Sequence, residues 1–196
     1  MTTRPGLIFV ISGPSGVGKD VLVTALLRRD TRLRYSVSFT TRPRRDYEVE
    51  GVHYSFVNRE VFERMVVEGA FLEWAEYNGH LYGTSLEFVD QTQRQGLDLI
   101  LKIEVNGAEQ VRRRRPDAIF IFIAPPSLEE LARRRQERGD GESRQTFEER
   151  QRIALEEMAH AEKYDHMVVN EDLENAVKAL QRIIRAERAK RLRVNA

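Results

Sequence analysis

Four stretches of the chain are apolar almost without interruption: LIFVIS (7–12), LILKIEV (99–105), AIFIFIA (118–124) and HMVVN (166–170). Short runs of this kind, rich in Ile, Val and Phe and without polar alternation, predict parallel strands covered on both faces. Between them the apolar positions take helical spacing in DVLVTALLRR (20–29), NGAEQVRRRR (106–115), SLEELARRRQER (127–138) and DLENAVKALQRIIRAERAKR (172–191). Strand and helix alternating in this way predict an α/β sheet with right-handed crossovers. Residues 35–95 depart from the pattern. VHYSFV (52–57) and FLEWAEY (71–77) read as half-exposed strands, and Asn78-Gly79 reads as a two-residue hairpin turn, so this region is expected to be an inserted antiparallel module. A third region, Arg133 to Arg152, is mostly charged, interrupted by Gly139 and Gly141, and helical on both sides, as expected of a lid.

Length and composition narrow the class. The 196 residues suit one domain with small insertions, and 41% hydrophobic content is enough to build a core. Cysteine is absent, which excludes disulfides and thiolate-bound metal centres. No apolar run approaches the roughly 20 residues that cross a bilayer, and Met1 to Gly6 lacks the apolar segment of a signal peptide. A cytoplasmic protein without membrane partners is the expectation. The net charge of +1 gives no reason to expect nucleic acid as a partner. Arginine outnumbers lysine 27 to 5, and guanidinium groups suit bidentate grips on phosphate and carboxylate.

Chemistry concentrates first in GPSGVGKD, Gly13 to Asp20. A glycine-rich loop between a buried strand and a helix aims backbone N–H groups and the helix dipole at one anion, and Lys19 adds a charge. The usual pattern places a hydroxyl after the lysine, where it holds Mg²⁺. This chain has Asp20 there instead.

GPSGVGK, together with SVSFTTRPRR (36–45), EVEGVHYSF (48–56), FLEWAEYNGHLYGTS (71–85), FIAPPSLEELARRR (122–135) and VVNED (168–172), resembles the guanylate kinase family over nearly the whole chain and in the same order. The resemblance implies a P-loop NTPase-type parallel sheet core with helices on both faces, a mixed or antiparallel GMP-binding insertion and a helical lid. On this chain those parts fall at 1–37, 89–127 and 154–196 for the core, 38–88 for the insertion and 128–153 for the lid. It implies transfer of the γ-phosphoryl group of ATP to GMP with Mg²⁺. The ATP site would comprise Gly13, Pro14, Ser15, Gly16, Val17, Gly18, Lys19 and Asp20, with Asn170 at the adenine. Ser38, Glu73 and Thr84 would take the guanine, Arg42, Arg45, Tyr54 and Tyr82 the GMP phosphate, and Arg134, Arg138 and Arg150 would join Lys19 as catalytic cations when the lid closes. An arginine-rich helix flanked by glutamates otherwise reads as a solvated, salt-bridged face, which weighs more for Arg133 and Arg135. The run Arg112 to Arg115 reads as a helix C-terminus favoured by the dipole, and the end AERAKRLRVNA as a fraying tail.

The residues make sense for guanine independently. Its N1–H and amine are neighbouring donors that one carboxylate can accept, while a hydroxyl serves O6. If Asn78-Gly79 is the turn, Tyr77 pairs with His80, Ala75 with Tyr82 and Glu73 with Thr84, all on one face, with Trp74 on the other. Lys102 and Glu104 would share a strand face near its C-terminal end; the family usually carries a carboxylate at both, and Glu104 joins the GMP set. The lysine at the first position is expected to pair with Asp20 or with nucleotide phosphate, and Asp20 to contact Mg²⁺, unless Asp20 simply stabilises the helix start. Two other functions fit the pattern less well: a catalytically weak protein-binding module of the same fold, and a kinase of another small phosphorylated acceptor such as a sugar bisphosphate. The sequence is silent on whether the protein is a monomer or a homo-oligomer.

Overall fold

The apolar runs become strands, and the computed structural model describes residues 4–77, 79–137 and 144–194, with 144–150 and 194 described by backbone alone. In chain order the first elements are β1 (Ile8–Ser12), α1 (Lys19–Arg29), β2 (Leu33–Tyr35), β3 (Phe39–Thr40), β4 (Ser55–Phe56) and α2 (Arg59–Val67). The middle of the chain forms β5 (Phe71–Tyr77), β6 (His80–Ser85), α3 (Leu86–Arg94), β7 (Asp98–Lys102) and α4 (Val105–Arg114). The remainder forms β8 (Ile119–Ala124), α5 (Leu128–Glu137), α6 (Arg144–Ala159), β9 (His166–Val169) and α7 (Leu173–Val194). Five strands are ordered β2-β7-β1-β8-β9 in one sheet, and four are ordered β4-β3-β6-β5 in a second. The chain divides into two compact units, Met1–Phe9 with Arg32–Ala118, and Val10–Thr31 with Ile119–Ala196. No helix among the described residues is long and apolar enough to cross a membrane.

In the first unit β2 runs parallel to β7, and the buried Asp98 carboxylate accepts the Leu7 N–H at 2.7 Å. The second sheet is mixed, one of the two arrangements expected of the insertion: β3 runs parallel to β4 and antiparallel to β6. A parallel pair needs a long crossover, and residues 41–54 supply it. Phe62 of α2 stacks on Phe71 of β5 with ring centroids 4.4 Å apart, and Leu81 completes this small core. The sequence pattern missed α2 and α3 because each is only nine residues long and buries few side chains. Their caps were nonetheless written in the sequence. Asn58 accepts from the Val61 N–H at 2.8 Å, and Ser85 from the Phe88 N–H at 3.2 Å.

LILKIEV does not stay a strand to residue 105. Its strand ends at Lys102, and Glu104 is the residue that begins α4, so Lys102 and Glu104 do not share a strand face. The arginine run has partners beyond the helix dipole: Arg115 is paired with Asp90 and donates to Gln93 Oε1 at 3.1 Å.

In the second unit β8 is buried at every position, as its uniformly apolar sequence requires, and β9 runs parallel to it. β9 differs from the expectation of a strand buried on both faces. It stands last in the sheet order, and Met167 and Val169 are exposed. Ion pairs join α1 to α7 at Arg29 with Glu174 and at Arg188 with Asp30, both at 2.6 Å. The basic end predicted to fray is helical through Val194.

Candidate functional site

The glycine-rich loop leaves β1, whose five residues are all buried, and enters α1 at Lys19. Gly13, Gly16 and Gly18 all hold positive φ, so the loop's backbone takes turns that side chains would strain. No side-chain hydrogen bond caps α1 at Gly18, and the first-turn N–H groups of a helix suit an anion. Lys19 is buried, and its ammonium donates to the carbonyls of Gly13 and, at 3.3 Å, Pro14. Asp20 is exposed in the first turn of α1, where a negative charge is favoured.

Two arginines of α5 hold this region, and they do different things. Arg135, predicted to be a solvated residue, is only 5% exposed and directs Nε and Nη2 at the Ser15 carbonyl, at 2.9 and 2.7 Å. Its stem occupies the space that a Cβ on Gly16 would fill, since such an atom would lie 2.9 Å from the Arg135 Cγ. Arg134 donates to Glu130 at 2.7 Å, to the Asn170 carbonyl at 2.8 Å and to the Glu171 carbonyl at 3.3 Å. Together with Arg133 it draws the Glu130 carboxyl down to about 2. Asn170 is buried and donates its side-chain amide to the Val17 carbonyl at 2.8 Å, so it braces the loop. Gly16, Gly18, Arg134 and Asn170 border an open cleft of about 380 Å³. Arg138 and the Arg150 side chain lie outside the described residues.

The second cavity, about 210 Å³, lies within the first unit, and its lining includes Ser38, Tyr54, Glu73, Tyr82, Lys102 and Glu104. The hairpin has the register that the turn predicts: Tyr77 pairs with His80, Ala75 with Tyr82 and Glu73 with Thr84. Asn78 itself lies outside the described residues. Trp74 pairs with Gly83 and is partly exposed. Glu73 is 5% exposed and accepts the Thr84 hydroxyl at 2.6 Å. Burial raises its carboxyl to about 7, against the opposing pull of the Thr84 hydroxyl and backbone N–H. Thr84 therefore donates its hydroxyl hydrogen bond to Glu73 and orients the carboxylate. Lys102 places its ammonium 5.6 Å from the centre of the Tyr35 ring.

Beside Tyr54, which lines this cavity, basic groups gather around a residue that sequence reasoning missed. Glu48 is 4% exposed, pairs with Arg42 at 2.5 Å and accepts the Arg45 N–H at 2.8 Å, while its carbonyl accepts from Arg44 at 2.7 Å. These donors hold the Glu48 carboxyl below the usual range, with Arg42 the largest cause. The Arg42 guanidinium lies 5.4 Å from the centre of the Tyr54 ring, and Tyr54 meets Tyr82 edge-on at 5.9 Å. Arg42, Tyr54 and Tyr82 thus converge, whereas the Arg45 guanidinium is engaged by the Tyr47 hydroxyl at 2.8 Å. An acid six residues after Arg42 was the available signal for Glu48, but TTRPRR drew attention only to its bases.

Known proteins resemble the chain over nearly its whole length. A family model described as guanylate kinase matches residues 6–187. Guanylate kinases of Halalkalibacterium halodurans and Bacillus subtilis are each 46% identical to the chain, over 194 residues (99% of this chain, 95% of that one) and 190 residues (96% and 93%). The crystal structure of guanylate kinase from Anaplasma phagocytophilum matches with a TM-score of 0.78 at 35% identity, covering 95% of this chain and 88% of that one.

Two predictions follow from the geometry of the separate units. Replacing Arg135 with Leu removes two charged hydrogen bonds from the Ser15 carbonyl, and calorimetric titration should show nucleoside triphosphate binding weakened about tenfold. Unchanged affinity would mean that the tether does not shape the loop. Glu73 bears on stability. Its carboxyl titrates higher in the folded chain than in the unfolded one, so its contribution is complete below about 4.5 and is lost as pH rises through about 7. Urea unfolding at pH 5 and pH 8 should differ by on the order of 3 kcal/mol more in the native chain than in Glu73→Gln. Equal differences in the two chains would refute the burial argument.

Proposed function

The chain belongs to the guanylate kinase family, and we propose that it transfers the γ-phosphoryl group of ATP to GMP, giving ADP and GDP. The observation that carries this reading is the buried Glu73 carboxylate, oriented by Thr84, in one cavity with Tyr54 and Tyr82, with the Arg42 guanidinium against the Tyr54 ring. A carboxylate accepts both guanine N1–H and the exocyclic amine, and adenine offers no such donor pair. A sugar bisphosphate would find no use for it.

Ser38 joins Glu73 and Thr84 at the base, Glu104 borders the same pocket, and Arg42, Arg45, Tyr54 and Tyr82 receive the acceptor phosphate. Because Arg42 is already paired with Glu48, it is fixed in direction before the phosphate arrives. Lys19 leaves the Gly13 and Pro14 carbonyls for the ATP phosphates, which the loop from Gly13 to Gly18 receives through its N–H groups. An oxygen of the GMP phosphate attacks the γ-phosphorus in line, a new P–O bond forms, and the bond to the β,γ-bridging oxygen breaks to release ADP. Lys19 and the arginines counter the negative charge spread over the moving group. Arg134 lines the donor cleft beside Asn170, and the roles of Arg138 and Arg150 rest on the family resemblance. In the same way we keep the three-part division into core, GMP-binding insertion and lid.

The family's reaction generally uses Mg²⁺. No cluster of three or more metal-binding side chains exists among the described residues. That fits Mg²⁺, which is usually bound through one or two carboxylates and the substrate's own phosphates. Asp20, an exposed hard oxygen donor beside Lys19, is the residue that would hold it. Bound there with ATP, Mg²⁺ supplies charge that offsets the triphosphate.

Acceptor specificity tests the main reading. With ADP release as the readout, GMP should be used far better than AMP or a sugar phosphate. Glu73→Gln should lower kcat/KM for GMP by about 10²-fold, since its amide sets a donor against donors. A GMP preference over AMP that survives this change would refute the guanine assignment. For the metal, Asp20→Ala should raise the Mg²⁺ concentration giving half-maximal rate by about tenfold, one lost charged ligand being worth about 1.4 kcal/mol. An unaltered Mg²⁺ titration would leave Asp20 as a helix-start residue only.

A further inference from the structure

β5 stands last in its sheet, so among the described residues one of its edges lacks a strand neighbour. Its backbone polar groups need other partners there. Helix α4 provides them from one face. Gly107, Gln110 and Arg114 are spaced by three and four residues and so line up along the helix. The Gln110 side-chain amide meets the Trp74 peptide in both directions: Trp74 N–H donates to Oε1 at 3.3 Å, and Nε2 donates to the Trp74 carbonyl at 2.7 Å. One turn on, Arg114 Nη1 donates to the carbonyls of Phe71 and Leu72, at 2.6 and 3.1 Å.

Those carbonyls lie where the strand is irregular. Phe71 pairs with Ser85 and Glu73 with Thr84, so two steps on β5 meet one on β6 and Leu72 is the extra residue of a bulge. A bulge re-aims the side chain beside it, and here that side chain is Glu73. Gly107 marks how near α4 comes, because a Cβ there would lie 2.6 Å from Glu73 Oε2.

We infer that Gln110 and Arg114 are positioning residues for guanine discrimination: acting as the missing neighbour of β5, they fix the peptides on both sides of Glu73 and so the aim of its carboxylate. The inference rests on the reading that Glu73 recognises guanine. It also gives Arg114 a specific task, where its sequence suggested only a favourable helix end.

The test compares kcat/KM for GMP and for inosine monophosphate, which lacks the exocyclic amine, and takes their ratio. Gln110→Leu and Arg114→Met should each lower that ratio about tenfold with KM for ATP unchanged. Arg114→Lys, which can still reach a carbonyl, should restore part of it. Met65→Ala serves as the control for general loosening, since Met65 packs on the cluster of Phe62, Phe71 and Leu81 and its side chain takes no part in the hydrogen bonds from Gln110 and Arg114; it should lower Tm and leave the ratio intact. If Gln110→Leu does not fold, Gln110→Glu replaces it, keeping the acceptor for Trp74 N–H but setting a carboxylate against the Trp74 carbonyl; the ratio should fall here too. A ratio held within twofold in the Gln110 and Arg114 variants, or lowered equally by Met65→Ala, overturns the inference. Glu73→Gln separates the two levels. If it leaves the ratio unchanged, the guanine reading fails; if it collapses the ratio while the α4 variants do not, only the positioning role fails.

Discussion

A carboxylate that keeps only 5% of its surface in water has to find its hydrogen bonds inside the protein, and Glu73 finds them in the hydroxyl and backbone N–H of Thr84. These bonds do not replace all the water that was lost, and the carboxyl titrates at about 7 as a result. On the reading proposed for this pocket, the shortfall is what makes the group selective. A ligand that brings two donors completes the solvation of the anion, while one that brings an acceptor or a methine leaves it worse than empty. The hairpin, its register, the bulge and the approach of α4 can all be read as consequences of holding this one group in place.

Distance along the chain decides how much of that arrangement the sequence discloses. The pairing of Glu73 with Thr84 was legible because Asn78-Gly79 implies a two-residue turn and strands have a period of two, so the register follows by counting. The phosphate loop was legible for a similar reason: its glycines, lysine, preceding strand and following helix are contiguous. Arg114, Arg135 and Gln110 were not. Each lies in a run of polar side chains that local reasoning assigns to solvent, and each reaches a carbonyl or peptide 36 to 120 residues away. A charged side chain on a helix reads the same whether it faces water or an orphaned carbonyl. The strand ending at Lys102 was misjudged by the opposite error, because apolar Ile103 and Val105 extended the pattern of a strand into what is the start of α4.

Cations in both units are already engaged within the protein. Arg42 is paired with Glu48, Arg134 with Glu130, and Lys19 with loop carbonyls. Two kinds of partner can be distinguished. Where the partner is a carboxylate, as at Glu48, the arginine keeps donors to spare, and an arriving phosphate adds to the network without breaking it. Where the partner is a neutral carbonyl, as at Gly13 and Pro14, the bond is the weaker kind and a triphosphate outcompetes it. On the proposed reading, the acceptor phosphate meets a guanidinium already held by a carboxylate, and the donor phosphates displace carbonyls from Lys19.

The same difference separates arginine from lysine at these positions. A planar guanidinium can grip a carboxylate with one edge and a phosphate with the other, which suits Arg42 and the bracing of backbone carbonyls by Arg114 and Arg135. It is poorly suited to a charge that must turn from one set of oxygens to another within a closed loop. A compact ammonium on a flexible stem makes that turn with little change in its surroundings, and Lys19 is the residue placed to do so.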